Sequence, residues 1–235
     1  HASGEPCVRP GFRRVYTPSS RDIVGGFSIV NATSGEVWHY IWDIAQSGSK
    51  DVRLRILDED FQTFQIFVYG ADVEPRGISY ARVHGQMMIG SPDLPTLWGR
   101  VGNGMRIAVA VESDTLADVF DIPRGIWTSW NNRAVCCTGD LMSISDPVSV
   151  GGGDLRSFIG ENQNQRPGSI FGIHEGAGGA LIAVTSVGTY GIDSAASAVG
   201  VVGSDGSAWR VLNHAESLSY DSSCVIDGRV FALTK

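Results

Sequence analysis

Residues 51–69 read DVRLRILDEDFQTFQIFVY, and this stretch decides the fold class. Val52, Leu54 and Ile56 alternate with Arg53 and Arg55, which is the two-residue period of a strand with one buried and one solvated face. Asp58-Glu59-Asp60 then turns the chain, and Phe64, Ile66 and Val68 carry it back. A hairpin is therefore expected from about residue 51 to residue 69.

The same grammar extends in both directions. Upstream, Trp38, Tyr40, Trp42 and Ile44 alternate with His39, Ile41 and Asp43. A helical stripe through Val37, Ile41 and Ile44 is also possible on spacing, but the aromatic and β-branched content favours a strand. Downstream, residues 96–101 are set against 105–111 across Gly102-Asn103-Gly104, which tolerate the positive φ of a tight turn, with Ile107, Val109 and Val111 facing inward. Short strands are expected at 169–174, 180–185, 198–202 and 208–212, and a last hairpin joins 224–226 to 229–231 through Asp227-Gly228.

The 30 glycines among 235 residues cut the apolar segments too short for ordinary helices. One helix of at most about two turns is expected over 113–120, capped by Ser113 or Asp114 and closed by Pro123. Residues 146–168 combine Gly151-Gly152-Gly153 with an Asn/Gln-rich stretch at 161–166 and read as a long exposed loop or a subdomain boundary. No fixed period recurs, which speaks against a blade or solenoid repeat. The expected fold is all-β: a jelly-roll, barrel or two-sheet sandwich with long loops and at most one or two short helices. Residues 1–22, with Pro6, Pro10, Pro18 and four arginines, read as an extended N-terminal arm. Residues 23–235 read as a single β domain, with a possible subdivision near 146–168.

Composition narrows the function classes. The net charge of −7, with 18% charged residues, argues against a surface that tracks nucleic-acid phosphates. Apolar runs such as 180–184 are far shorter than the roughly 20 residues a membrane-spanning helix needs, so no membrane span is expected. Sixteen arginines stand against Lys50 and Lys235, and arginine makes bidentate, partly desolvated contacts that lysine does not. Cys7, Cys136, Cys137 and Cys224 are too few for a disulfide scaffold. The adjacent pair argues for separate thiols, or for one bridge to a distant partner.

Motifs for chemistry fail on inspection. Ile23-Val24-Gly25-Gly26 resembles the mature N-terminus of trypsin-like serine proteases over four residues. That family also needs a Gly-Asp-Ser-Gly-Gly nucleophile loop, and Gly191-Ile192-Asp193-Ser194-Ala195 lacks the glycines that shape its oxyanion hole. His1 could clamp copper through its amine and imidazole, as in lytic polysaccharide monooxygenases, but no second ligand can be named. His174-Glu175 and His214-Ala215-Glu216 are isolated, without the spacing of a zinc site. The acidic turn at 58–60 is better explained by turn chemistry than by calcium, and no glycine-rich loop has the setting of a phosphate cradle. No cofactor or metal is expected.

The cluster Trp127, Thr128, Ser129, Trp130, Asn131, Asn132 and Arg133 is the candidate contact site, because indole faces beside amides can stack on a sugar or fill a partner pocket. In a flat strand, however, residues three apart point to opposite faces, so a shared platform needs a turn or bulge here.

These readings favour a non-enzymatic structural or attachment protein, virion-borne or extracellular: a viral capsid or virion-surface β domain acting through self-assembly as an oligomer or through a host receptor or glycan. The alternatives are a secreted carbohydrate-active enzyme, either the His1 copper oxygenase or a glycosidase, and a cellular β-sandwich lectin or adhesion module.

Overall fold

The computed structural model describes residues 20–30, 35–48, 51–69, 73–83, 85–101, 107–112, 123–145, 163–165, 168–192, 210–220 and 222–234. Among them the chain is all-β, as expected, and its only helical element is a 3-10 turn at Ala177–Gly179. The helix expected over 113–120 and the strand expected over 198–202 lie outside the described residues, as do His1, Cys7 and most of 146–168.

The strands form antiparallel sheets in strict chain order. The first sheet contains β1 (Arg21–Val30), β2 (Val37–Ala45), β3 (Val52–Leu57) and β4 (Thr63–Val68). The second contains β5 (Ser79–Val83), β6 (Gln86–Ser91), β7 (Leu94–Val101) and β8 (Ile107–Glu112). The third contains β9 (Ile126–Trp130), β10 (Arg133–Thr138), β11 (Leu141–Ile144) and β12 (Gln163–Gln165). The fourth contains β13 (Ile170–Glu175), β14 (Leu181–Thr185), β15 (Gly188–Ile192) and β16 (Arg210–Asn213). A final pair, β17 (Ser223–Ile226) and β18 (Arg229–Ala232), stands as two strands.

This order corrects two expectations. Each sheet is an up-and-down meander, so the Greek-key crossing of a jelly roll does not occur among the described strands. A blade-like unit does recur. It escaped the sequence because what repeats is shape rather than residues, and the four-stranded units begin at unequal intervals, at Arg21, Ser79, Ile126 and Ile170.

Neighbouring sheets pack face to face as in a sandwich. One core joins Trp38, Tyr40, Trp42, Leu54 and Ile56 of the first sheet to Met87, Ile89 and Leu97 of the second. Another joins Ile126, Trp130, Val135 and Ile144 of the third to Ile173, Leu181 and Ala183 of the fourth. The inner sheets are covered on both sides, which is why β6 is buried throughout and β10 is buried from Arg133 to Cys137. β5 lies beside β9, β9 beside β13 and β13 beside β17, so the first strands of successive sheets meet as the inner strands of blades do.

The deciding hairpin forms as expected: Val52, Leu54 and Ile56 are fully buried while Arg53 and Arg55 lie half-buried on the other face. A register shift between Ile56 and Leu57 turns Phe64, Ile66 and Val68 to the exposed side of β4. The outward face of this sheet is held by charge. The fully buried Asp43 accepts from Arg21 on one oxygen and from Arg55 on the other. Arg21 also reaches Asp51 Oδ1 at 3.0 Å, and Arg53 donates to Asp51 Oδ2 at 2.6 Å. Arg21 and Asp22, read from sequence as the end of the arm, therefore belong to β1. The Ile23–Gly26 motif sits inside that strand too. A Cβ at Gly26 would come within 2.6 Å of the Tyr40 carbonyl oxygen, so packing explains its glycine.

The stretch 163–165, expected in a loop, pairs with β11. The Asp58 turn is local chemistry, with Asp58 Oδ1 accepting from the backbone N–H groups of Asp60 at 3.1 Å and Gln62 at 2.8 Å. Among the described residues, no disulfide joins Cys136, Cys137 and Cys224.

Candidate functional site

The sequence-predicted contact site resolves into core and turn. Asn131 (φ 45°) and Asn132 (φ 63°) are the two central residues of a tight hairpin turn that pairs Trp130 with Arg133. Asparagine tolerates this left-handed backbone through local hydrogen bonding. Both asparagines are exposed, but the tryptophans beside them are not: Trp127 is 2% exposed and Trp130 is 0%.

The two indoles leave β9 on opposite faces. Trp127 Nε1 donates to Thr96 Oγ1 of the second sheet at 3.3 Å, and a Cβ at Gly90 would lie 2.7 Å from that nitrogen. Trp130 Nε1 donates to the Gly179 carbonyl beside the fourth sheet at 2.7 Å. The expected stacking platform of Trp127 and Trp130 is therefore corrected: the rings cement β9 between its neighbouring sheets and present no shared face.

What the fold does assemble is a cleft of about 480 Å³ to which every first strand contributes. Phe27 comes from β1, Tyr80 from β5, Thr128 from β9, His174 and Glu175 from β13, and Val225 from β17. A smaller pocket continues it, lined by Gly77, Trp127, Phe171, Gly172 and Ser223. Phe27 and Tyr80 stack with centroids 4.3 Å apart and planes at 28°.

Many of the hydroxyls near this cleft are already committed. Ser79 Oγ accepts from the Trp127 N–H at 2.7 Å. Ser129 Oγ accepts from the Arg82 N–H and donates to the Arg82 carbonyl, each at 2.9 Å. His174 Nε2 shares a 2.8 Å hydrogen bond with Ser223 Oγ. That bond needs a glycine at 172, where a Cβ would come within 2.1 Å of Ser223 Oγ. Burial lowers the His174 pKa and so favours a neutral ring. Burial raises the Glu175 carboxyl instead.

A serine and histidine in contact are the beginning of a nucleophilic site, which further requires a third group to orient the imidazole. Among the described residues nothing else bonds to the His174 ring, and the pair acts as a strap between β13 and β17. Among the described residues no three His, Cys, Asp or Glu side chains gather as metal ligands, and no helix is long and apolar enough to cross a membrane. Sequence reasoning noticed His174-Glu175 only as an isolated dipeptide. Phe27, Tyr80 and Val225 gave no signal, because they come together only when distant strands converge.

No protein-family model matches the chain, and no curated protein matches it. Among solved structures it is similar to the crystal structure of HIRA(644-1017), at 11% identity and a TM-score of 0.34. The alignment spans 86% of this chain and 58% of that one, a likeness too weak to carry an argument.

Proposed function

We propose that this protein is a non-enzymatic contact protein that attaches to a partner through the cleft where the first strands converge. The observation that carries this reading is the shared lining: one recess draws Phe27, Tyr80, Thr128, Glu175 and Val225 from five strands that are distant in sequence. Recessed sites with apolar walls and a few polar groups, built on rigid scaffolds, are where ligands bind. Receptor or glycan attachment at a virion or cell exterior belongs to this reading. A jelly-roll capsid unit is not the form we propose, because the described sheets are meanders.

Titration of isotope-labelled protein against a glycan set and a fragment library, read by amide shifts, tests the reading. Shifts clustered on Tyr80, Thr128, Glu175 and Val225 are expected. Shifts confined to the Asn131-Asn132 turn or to β4, or catalytic turnover of a library member, would overturn it.

A further inference from the structure

The strongest chemical asymmetry of the cleft is an unpaired acid. Among the described residues, the Glu175 side chain makes no ion pair and no hydrogen bond, whereas Asp43, Asp51 and Asp93 are each held by arginine. Glu175 is exposed at the end of β13, and the protein beside it raises its carboxyl by partial desolvation. Among the described residues, no lysine or arginine lines the cleft to offset it.

The aromatic wall adds a second observation. Phe27 stacks on Tyr40 at 5.0 Å and on Tyr80 at 4.3 Å, which makes Tyr80 the end of the stack. The molecule shows elsewhere what such a pair accepts. Arg76 grips Asp93, with Nη2 on Oδ1 at 2.8 Å and Nε on Oδ2 at 3.0 Å. Its guanidinium carbon lies 5.6 Å from the centroid of the Tyr220 ring. There the carboxylate, the tyrosine and the cation are all present. In the cleft the carboxylate and the tyrosine are present without a cation among the described residues.

We propose that the cleft binds an organic cation, the guanidinium or ammonium head of a basic side chain or of a small amine, with Glu175 as counter-charge and Tyr80 as its aromatic wall. A cation over a tyrosine face is stabilised by the ring quadrupole, and a carboxylate beside it adds a solvent-screened attraction of the same sign. An anionic ligand would meet Glu175 and, among the described residues, no compensating cation. At about 480 Å³ the cleft accommodates a basic side chain or a small amine.

This proposal rests on the cleft being the attachment site, and the experiment separates the two. The probes are N-acetyl-arginine amide, its neutral glutamine and anionic glutamate counterparts, tetramethylammonium, and an arginine-rich peptide, each titrated by NMR into the wild type, Glu175→Gln and Tyr80→Leu. The cations are expected to shift cleft resonances and the glutamate probe to leave them unmoved. Glu175→Gln is expected to weaken cation binding about tenfold, on the order of one close charge pair, and Tyr80→Leu about threefold. Tighter binding of the peptide than of the amide identifies a protein's basic side chain as the source. Equal binding identifies a small amine. If the glutamine probe binds as tightly as the arginine probe, or Glu175→Gln changes nothing while the variant keeps its wild-type spectrum elsewhere, the cation assignment falls and the cleft reading stands. If no probe or library member moves the cleft resonances, both fall.

Discussion

The first sheet and the final hairpin begin alike and end differently. β1–β2 and β17–β18 are each antiparallel pairs that open a unit, and each opening strand reaches the central cleft. Beyond that point, β2 is flanked by β3 and buries Trp38, Tyr40 and Trp42, whereas Ile226 (56% exposed) and Phe231 (52% exposed) stand bare. The difference lies in neighbours rather than in propensity, since both pairs are rich in β-branched and aromatic residues. A strand gains its stability from the sheet and layer around it, and two strands alone are marginal in water.

The largest effect is expected where charge locks the first sheet. Asp43→Ala leaves Arg21 and Arg55 without their shared carboxylate and should cost about 3–5 kcal/mol, as breaking a buried ion pair does. Urea denaturation measures it, and a loss below about 1 kcal/mol would show that the ionic lock does not distinguish this sheet.

Acid should reveal the same asymmetry. Hydrogen bonds from Arg21, then Arg53, hold the Asp51 carboxyl below its ordinary range. A carboxyl depressed in the folded state adds stability above its unfolded pKa of about 3.9 and loses that contribution as the pH falls through its folded value. Denaturation midpoints taken at descending pH should drop in this window, and Asp51→Asn should flatten the drop.

Turns sharpen the comparison further. Asn131→Ala forces a left-handed backbone on a residue without a helping side chain and should cost about 1–2 kcal/mol. The final hairpin turns through Asp227 (φ 50°) and Gly228 (φ 71°) in the same way, yet Asp227→Ala should cost global stability less, because its strands carry little of the core. The smallest effect is expected for Phe231→Ser, within about 0.5 kcal/mol by thermal denaturation, as for other exposed positions. A large loss would mean that β18 is covered in solution.

Several strands were legible in the sequence because one face is buried and the other wetter, although β1 and β5 were not. Residues 52–57 show the alternation plainly, as do 37–45, and the Asp227-Gly228 turn announced its hairpin. β6 and β10, covered on both faces, lack a wet side and so gave no alternation to read. The meander unit stayed hidden because connections of unequal length erase any period. The shared tryptophan platform failed for a different reason. Trp127 and Trp130 are conspicuous in a list of residues, but large aromatics are most often consumed by packing. Glu175, one carboxylate among many in the sequence, stands out only once the strands that line the cleft are brought together.

The neighbouring cysteines of β10 make the molecule its own reporter. Cys136 stands opposite Trp127 on the side of β9 and β10 that faces the second sheet, while Cys137 belongs to the core shared with the fourth. Burial raises the Cys136 thiol well above its usual range, so an alkylating reagent finds no thiolate there until the layers part. Cys224 lies exposed from the start. The order in which the three sulfurs acquire label therefore times the separation of one layer from the next along a single polypeptide.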